Sequence, residues 1–348
     1  MKDHRLRVLT NSVDNYFSTV VYTLAFAHEA TRDQASDTML PGASFRVGRR
    51  MSTSPSNTVS PSTEVTPDLL VQRTPTYGLV CEVKTNLPRY SDDEVVVKRW
   101  NDMDAQLRKY DDNLVGWLTD NEKVKTSDVV LLVDMINGVD AADFIAKTRK
   151  ERVGRRAPVV VGTDRPQQGE MFVLLSRESG SLQDAALNEG LRRRRKIPFR
   201  VLELQLAKLK FCDSPPPNPL YTVQVLWDHL FPSMSNPGNF DALKRAYALK
   251  VTVKGLTRAL QTYYGWVPRD RRDVGIPRSD WVKDALDFLV ETGDAEAKSR
   301  AAYMVYYART KRDAIEKFAK RMLDLEKARK KEAVARRYTP EDLFKPSA

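Results

Sequence analysis

The chain has 348 residues, enough for two domains, and a hydrophobic content of 41% suffices for real cores. Two cysteines and three scattered histidines argue against a disulfide framework and a zinc cluster, no apolar run approaches bilayer length, and the first residues lack the apolar stretch of a secretory signal, so a soluble, cytoplasmic protein without membrane contact is expected. The 57 Lys and Arg against 46 Asp and Glu leave a net charge of +11, which suits a polyanionic partner without identifying one.

In chain order, Val13, Phe17, Val20, Val21, Leu24 and Ala27 fall at helical spacing and predict an amphipathic helix carrying Glu29 near its end. Residues 46–66 are rich in Ser, Thr and Pro without an apolar period and read as a mobile loop. Asp68 to Val71 and Tyr77 to Lys84 are apolar runs joined by a turn-rich Arg73 to Thr76, the pattern of a hairpin. Alternate strand residues share a face, so Glu82 and Lys84 point one way while Cys81 and Val83 point the other. From about Asp93 to Leu118, Val96, Val97, Trp100, Met103, Leu107, Tyr110 and Leu114 predict a helix with one buried stripe. Gln106 and Tyr110, four apart, are neighbours on it. Further strands are expected at 128–134, 158–162, 170–176 and 199–204, with helices around 141–150 and 182–193. The order implies an α/β fold, a mixed sheet flanked by helices.

A carboxylate beside an ammonium has a specific chemical use. With Asp68 next to them, Asp68 and Glu82 can hold a hard divalent cation through oxygen, while Lys84 orients or helps activate an attacking water. That is equipment for phosphodiester cleavage. Pro67-Asp68 and Glu82-Val83-Lys84 resemble the two signature elements of the PD-(D/E)xK nuclease superfamily, the restriction-endonuclease-like fold. Gln106 and Tyr110, as Gln-x-x-x-Tyr on the helix after the catalytic strand, look like the motif of its RecB-like branch, although that branch usually has Gly-x-x-Asp where this chain has Pro67-Asp68. The resemblance implies an Mg²⁺-dependent endodeoxyribonuclease, with Mn²⁺ able to substitute, acting in phage defence or DNA processing. It also implies Asp68, Glu82 and the Val83 carbonyl as metal ligands joined by Glu29 from the N-terminal helix, Lys84 at the water, and Gln106 and Tyr110 positioning substrate. An RNA endonuclease, or a catalytically silent DNA-binding or regulatory protein, stays open as an alternative.

The densest charge run, Arg192, Arg193, Arg194, Arg195 and Lys196, is a candidate phosphate-binding surface. Four prolines within 213–220 make a stiff linker, separating a nuclease-like domain (1–212) from a mainly helical one (221–338) and a tail (339–348). From Asp213 onward, 25 basic residues outnumber 18 acidic ones, so the C-terminal part is the better place to hold nucleic acid. Helices are expected at 222–230, 241–249, 252–264 and 279–291, then a long one from about 297 to 337. Short helices ending in the one from Ser279 resemble a winged-helix domain. That implies entry of this helix into a major groove, with Arg269, Arg271, Arg272, Arg278 and Lys283 as contacts. The stripe of the final helix could dock on this unit or pair with a second copy, a homodimer, or a partner protein.

Overall fold

The second half of helix α1 (Lys2–Ala30) is buried on nearly every side, well beyond the single stripe its apolar spacing predicts. The buried Thr23 hydroxyl bonds within the helix, Oγ1 donating to the Thr19 carbonyl at 2.7 Å, and so is not left unpaired. The computed structural model describes residues 2–48, 51–53, 64–110, 114–115, 124–149, 157–164, 172–212, 216–234, 236–242, 246–265, 274–307, 324 and 327. The chain divides into one unit of Asp14–Pro215 with Gln261–Ile276 and another of Met1–Val13, Pro216–Leu260 and Pro277–Ala348.

The first unit is built on a seven-stranded sheet. Strands β1 (Ser44–Val47), β2 (Met51–Thr53), β3 (Glu64–Val65), β4 (Leu69–Gln72) and β5 (Tyr77–Lys84) come first; helix α2 (Glu94–Arg108) and strands β6 (Leu114–Val115) and β7 (Thr126–Asp134) follow. Then come α3 (Gly138–Arg149), β8 (Val159–Asp164), β9 (Phe172–Ser179), α4 (Ala185–Arg192), β10 (Arg195–Pro198) and α5 (Phe199–Lys208). The main sheet has the order β1-β4-β5-β7-β8-β9-β10, and β3-β2-β6 form a small separate sheet. Its three middle strands β5, β7 and β8 run parallel, and the others join antiparallel, giving a mixed α/β architecture. These middle strands are buried on both faces, and their sequences are accordingly continuous apolar runs.

The two faces have different covers. Leu69, Val71, Leu79, Cys81, Val83, Val130 and Leu132 pack with α1, whereas Leu70, Val80, Leu131, Val133 and Val160 pack with α2 and α3. Asp93 starts α2 by accepting from Val95 N and Val96 N at 2.9 and 3.3 Å. Trp100 anchors the helix through rings of Tyr90 and Phe144, 5.7 and 5.3 Å away, and donates to the Pro88 carbonyl. Asp104 binds Arg108 on its own helix and the buried Arg149 of α3, at 2.6 and 3.0 Å, fixing the two helices together.

Several sequence expectations are corrected. The loop at 46–66 contributes short strands whose Met51 and Val65 enter the core. Helix α2 stops at Arg108 instead of reaching Leu118, and Leu114–Val115 pairs with β2. Residues 199–204 are helix, because Leu202 and Leu206 are buried one turn apart with Phe199 packed beside them, a stripe that the alternation of Val201 and Glu203 disguised.

In the second unit, α6 (Pro219–Met234), β11 (Phe240–Asp241), β12 (Ala246–Thr252), α7 (Val253–Tyr264), α8 (Ser279–Thr292), β13 (Ala295–Ala297) and β14 (Ala302–Tyr307) follow in order. The four strands pair antiparallel as β11-β12-β14-β13. Gly293 ends α8 in the left-handed region at φ 77°, which a glycine adopts without strain. Helix was expected at 241–249 and from 297, but the structure has strand at both. Tyr303, Val305 and Tyr307 are buried at period two, and their pairing with β12 outweighs the helical spacing of the tyrosines. Residues 328–348 and most of 308–327 lie outside the described residues, so the final helix and its proposed dimer contact do as well. Among the described residues no helix is long and apolar enough to cross a membrane.

Candidate functional site

The hairpin sets the site. Leu69 pairs with Cys81 and Leu70 with Val80, so the register carried one step further puts Asp68 opposite Glu82. Glu82 then lies on the α2 side with Val80, and Asp68, in the bend just before β4, is close enough to that side for its charge to act on Tyr110. Both carboxylates are buried. Asp68 Oδ2 accepts from the Val83 amide at 2.7 Å, which ties the start of β4 to the end of β5.

Around Glu82 the side chains close a network. Lys84 Nζ donates to Glu82 Oε1 at 2.5 Å and lies 3.3 Å from Gln106 Oε1, and the Tyr110 hydroxyl donates to Glu82 Oε2 at 2.7 Å. Gln106 Nε2 completes the ring to the Tyr110 hydroxyl at 3.4 Å. Burial, then the neighbouring Glu82 charge, pushes the Tyr110 phenol far above its ordinary range, so it remains a donor at any working pH. Tyr110 follows the end of α2, yet it keeps the four-residue relation to Gln106 that the sequence displays. Thus Asp68, Glu82, Val83, Lys84, Gln106 and Tyr110 are brought together.

Glu29 is not. It belongs to α1, on the other face of the sheet, and near the other end of it. Thr19 contacts Thr85, next to Lys84, at 3.3 Å, and Glu29 lies ten residues further, about 15 Å along the helix. Adjacent Ala30 accepts from Arg73, beyond the far end of β4. Glu29 instead faces Arg195, whose Nε is 2.7 Å from Oε1, in an ion pair without hydrogen-bond geometry. Burial therefore wins over the arginine and raises the Glu29 carboxyl above its ordinary value. Asp134, at the end of β7, likewise turns to the α1 side, where it accepts from Tyr22 at 2.6 Å.

The basic run is also placed elsewhere. Arg195 and Lys196 lie on β10, four strand spacings from β5, roughly 19 Å at about 4.8 Å each. Arg192 and Arg193 both bind Glu189, at 2.7 and 2.9 Å, and Lys196 stands over the Phe172 ring, 4.7 Å from its centre. Arg194 is exposed, with a left-handed backbone at φ 58°. Much of the run's charge is thus engaged within the protein.

In the second unit, α8 exposes Asp280, Asp284, Asp287 and Glu291 against the single Lys283, which pairs with Asp287. Such a face repels phosphate, which weighs against entry of this helix into a major groove. Arg278 stacks over Trp281 at 5.8 Å, and Arg269, Arg271 and Arg272 lie outside the described residues.

Among the described residues no group of three or more His, Cys, Asp and Glu side chains is arranged to hold a metal ion. The two carboxylates across the hairpin nevertheless fit a cation such as Mg²⁺, which retains waters and takes only one or two carboxylates besides substrate oxygens. Beside them opens a cleft of about 350 Å³, lined by Val83, Lys84, Thr85, Asn86 and Leu87 and, from α2, Arg99, Asp102, Met103 and Gln106. Sequence reasoning passed over Arg99 and Asp102, though they stand seven and four residues before Gln106, on its face of the helix. No family model, curated protein or solved structure matches this chain.

Proposed function

We propose that the protein is a metal-dependent endonuclease that hydrolyses phosphodiester bonds in DNA. One observation carries this: Asp68, Glu82 and Lys84 meet on a single face of the sheet, with Gln106 and Tyr110 bonded into the same network. Asp68, Glu82 and the Val83 carbonyl would hold Mg²⁺, or Mn²⁺ in its place. When bound, such an ion offsets charge on the phosphate and makes a coordinated water more acidic. Lys84, between an acid and an amide oxygen, would orient the attacking water. Tyr110 holds the second oxygen of Glu82 and so sets the plane of the carboxylate. Gln106 positions the substrate phosphate.

Two features support the restriction-endonuclease-like reading of the first unit: a helix, a strand, and an antiparallel hairpin precede α2, and a strand parallel to β5 follows it. The order helix, two paired strands, helix, helix, hairpin in the second unit supports the winged-helix reading. The acidic exposed side of α8 favours, for that unit, protein contacts or DNA contacts through other elements.

The experiment is cleavage of plasmid and single-stranded DNA with Mg²⁺ or Mn²⁺, and of labelled RNA in parallel, by wild type, Asp68→Asn, Glu82→Gln and Lys84→Ala. Metal-dependent cutting of DNA that all three substitutions remove is the expected result. Undiminished cutting by Glu82→Gln would overturn the mechanism, and preferential cutting of RNA would overturn the substrate.

A further inference from the structure

The cleft beside Lys84 belongs to the same surface as the acidic site, because Val83, Lys84 and Gln106 border both. Its far wall is the stretch of α2 from Gln106 back to Arg99. Arg99 is seven residues from Gln106, two turns and about 10.5 Å along the helix axis. Arg99 thus stands at the other end of this stretch from Gln106.

Several arginines of this unit face a carboxylate within the protein: Arg108 and Arg149 share Asp104, Arg192 and Arg193 share Glu189, and Arg195 faces Glu29. Arg99 is exposed and has no ion-pair or hydrogen-bond partner among the described residues, nor does it pair with Asp102 three positions on. A guanidinium of this kind at the mouth of a polar cleft is built for an anion with paired oxygens. Asn86 and Asp102 are exposed in the same cleft and offer hydrogen bonds to a sugar or base edge, over an apolar floor of Leu87 and Met103.

We propose that this cleft seats the nucleotide next to the scissile bond, with Arg99 holding that nucleotide's phosphate. The assignment rests on the nuclease reading of the Asp68 and Glu82 site and adds to it a binding subsite and a positioning residue. A cleft of about 350 Å³ is at the lower end of ligand-site volumes, in keeping with a single nucleotide unit rather than a duplex.

The test uses a labelled single-stranded oligodeoxynucleotide. For wild type, Arg99→Ala, Arg99→Lys and Arg99→Glu, kcat and KM are measured with Mg²⁺. Equilibrium binding is measured without divalent metal across about 50–200 mM salt. Removing one phosphate contact should raise KM about tenfold in Arg99→Ala with little change in kcat, and make the logarithmic salt dependence of binding shallower by about 0.7. Arg99→Lys should restore the salt dependence, and Arg99→Glu should bind more weakly than Arg99→Ala. Because Arg99 is exposed, the melting temperature should not move in any of them.

Unchanged KM and salt dependence in both Arg99→Ala and Arg99→Glu would overturn the subsite while leaving the nuclease reading intact. A wild type that binds the oligonucleotide without cutting it would overturn the nuclease reading, and the salt dependence of the variants would still decide the role of Arg99. A wild type that does not bind DNA would overturn both.

Discussion

The unit with the seven-stranded sheet holds two buried glutamates, each facing a cation that is partly in solvent, and the contrast between them separates a reactive site from a structural one. Glu82 and Glu29 are both 1% exposed, and Lys84 and Arg195 are 29% and 34% exposed. Yet both Glu82 oxygens accept well-formed hydrogen bonds, from Lys84 and Tyr110, whereas Glu29 Oε1 faces Arg195 without hydrogen-bond geometry. Glu82 also has Asp68 opposite it and an open cleft beyond Lys84, while Glu29 is enclosed by Gln34 and the α4–β10 segment. An acid and base pair is therefore not enough. A second carboxylate, fixed donors and access for a substrate distinguish the two.

The largest effect that could break this comparison comes from exchanging each glutamate for its isosteric amide. Glu82→Gln should lose activity by about a thousandfold or more, since a carboxylate that would neutralise a cation next to the phosphate is gone. Glu29→Gln should cut DNA within about twofold of wild type, given its separation from the phosphate by the full sheet. Rates measured at one Mg²⁺ concentration and repeated over a titration of Mn²⁺ check both. Equal losses would mean that the two glutamates serve one site after all.

The sequence disclosed the first of these glutamates more fully than the second for a physical reason. Glu82 and Lys84 share a face by the alternation of a strand, Asp68 joins them through a hairpin whose turn is only a few residues long, and Gln106 and Tyr110 are neighbours by helix periodicity. All of these relations are local. Where Glu29 points depends on which side of the sheet α1 covers and in which direction it runs, and no local spacing reports either. The same limit hid β14, whose tyrosines pair with β12 more than fifty residues away. The acidic side of α8 was legible, as Asp280, Asp284, Asp287 and Glu291 recur at four, three and four. For α5 the alternation around Val201 suggested strand, and only its packing through Leu202 and Leu206 shows the helix.

A smaller change sharpens what surrounds Glu82. Tyr110→Phe keeps the ring in the core with Leu107 and removes only the hydroxyl that donates to Glu82 Oε2. Losing one hydrogen bond to a charged group should lower kcat about tenfold, with little effect on KM if Tyr110 acts by setting the carboxylate plane. The phenol is held protonated far above its ordinary range, so wild type should show no activity step that depends on its ionisation up to pH 10. A drop in wild-type activity near that pH that is absent from the phenylalanine variant would show that the hydroxyl titrates in the site, contrary to its burial beside Glu82.

The smallest expected effect concerns stability at the other glutamate. Burial raises the folded-state pKa of Glu29 above its ordinary 4.5, so between that value and the raised one the folded protein binds more protons than the unfolded chain. The sign follows: the stability that Glu29 contributes is fully present below its ordinary value and is lost as pH rises through the raised one. Glu29→Gln has nothing to ionise there. Its melting temperature should therefore gain on that of wild type as pH rises from about 4 to neutrality, by about 2–4 °C for each kcal/mol involved. Melting curves of both proteins at half-unit pH steps test this. A difference that is flat with pH would mean that Arg195 compensates the buried charge in full, and the contrast with the hydrogen-bonded Glu82 would then rest on geometry alone.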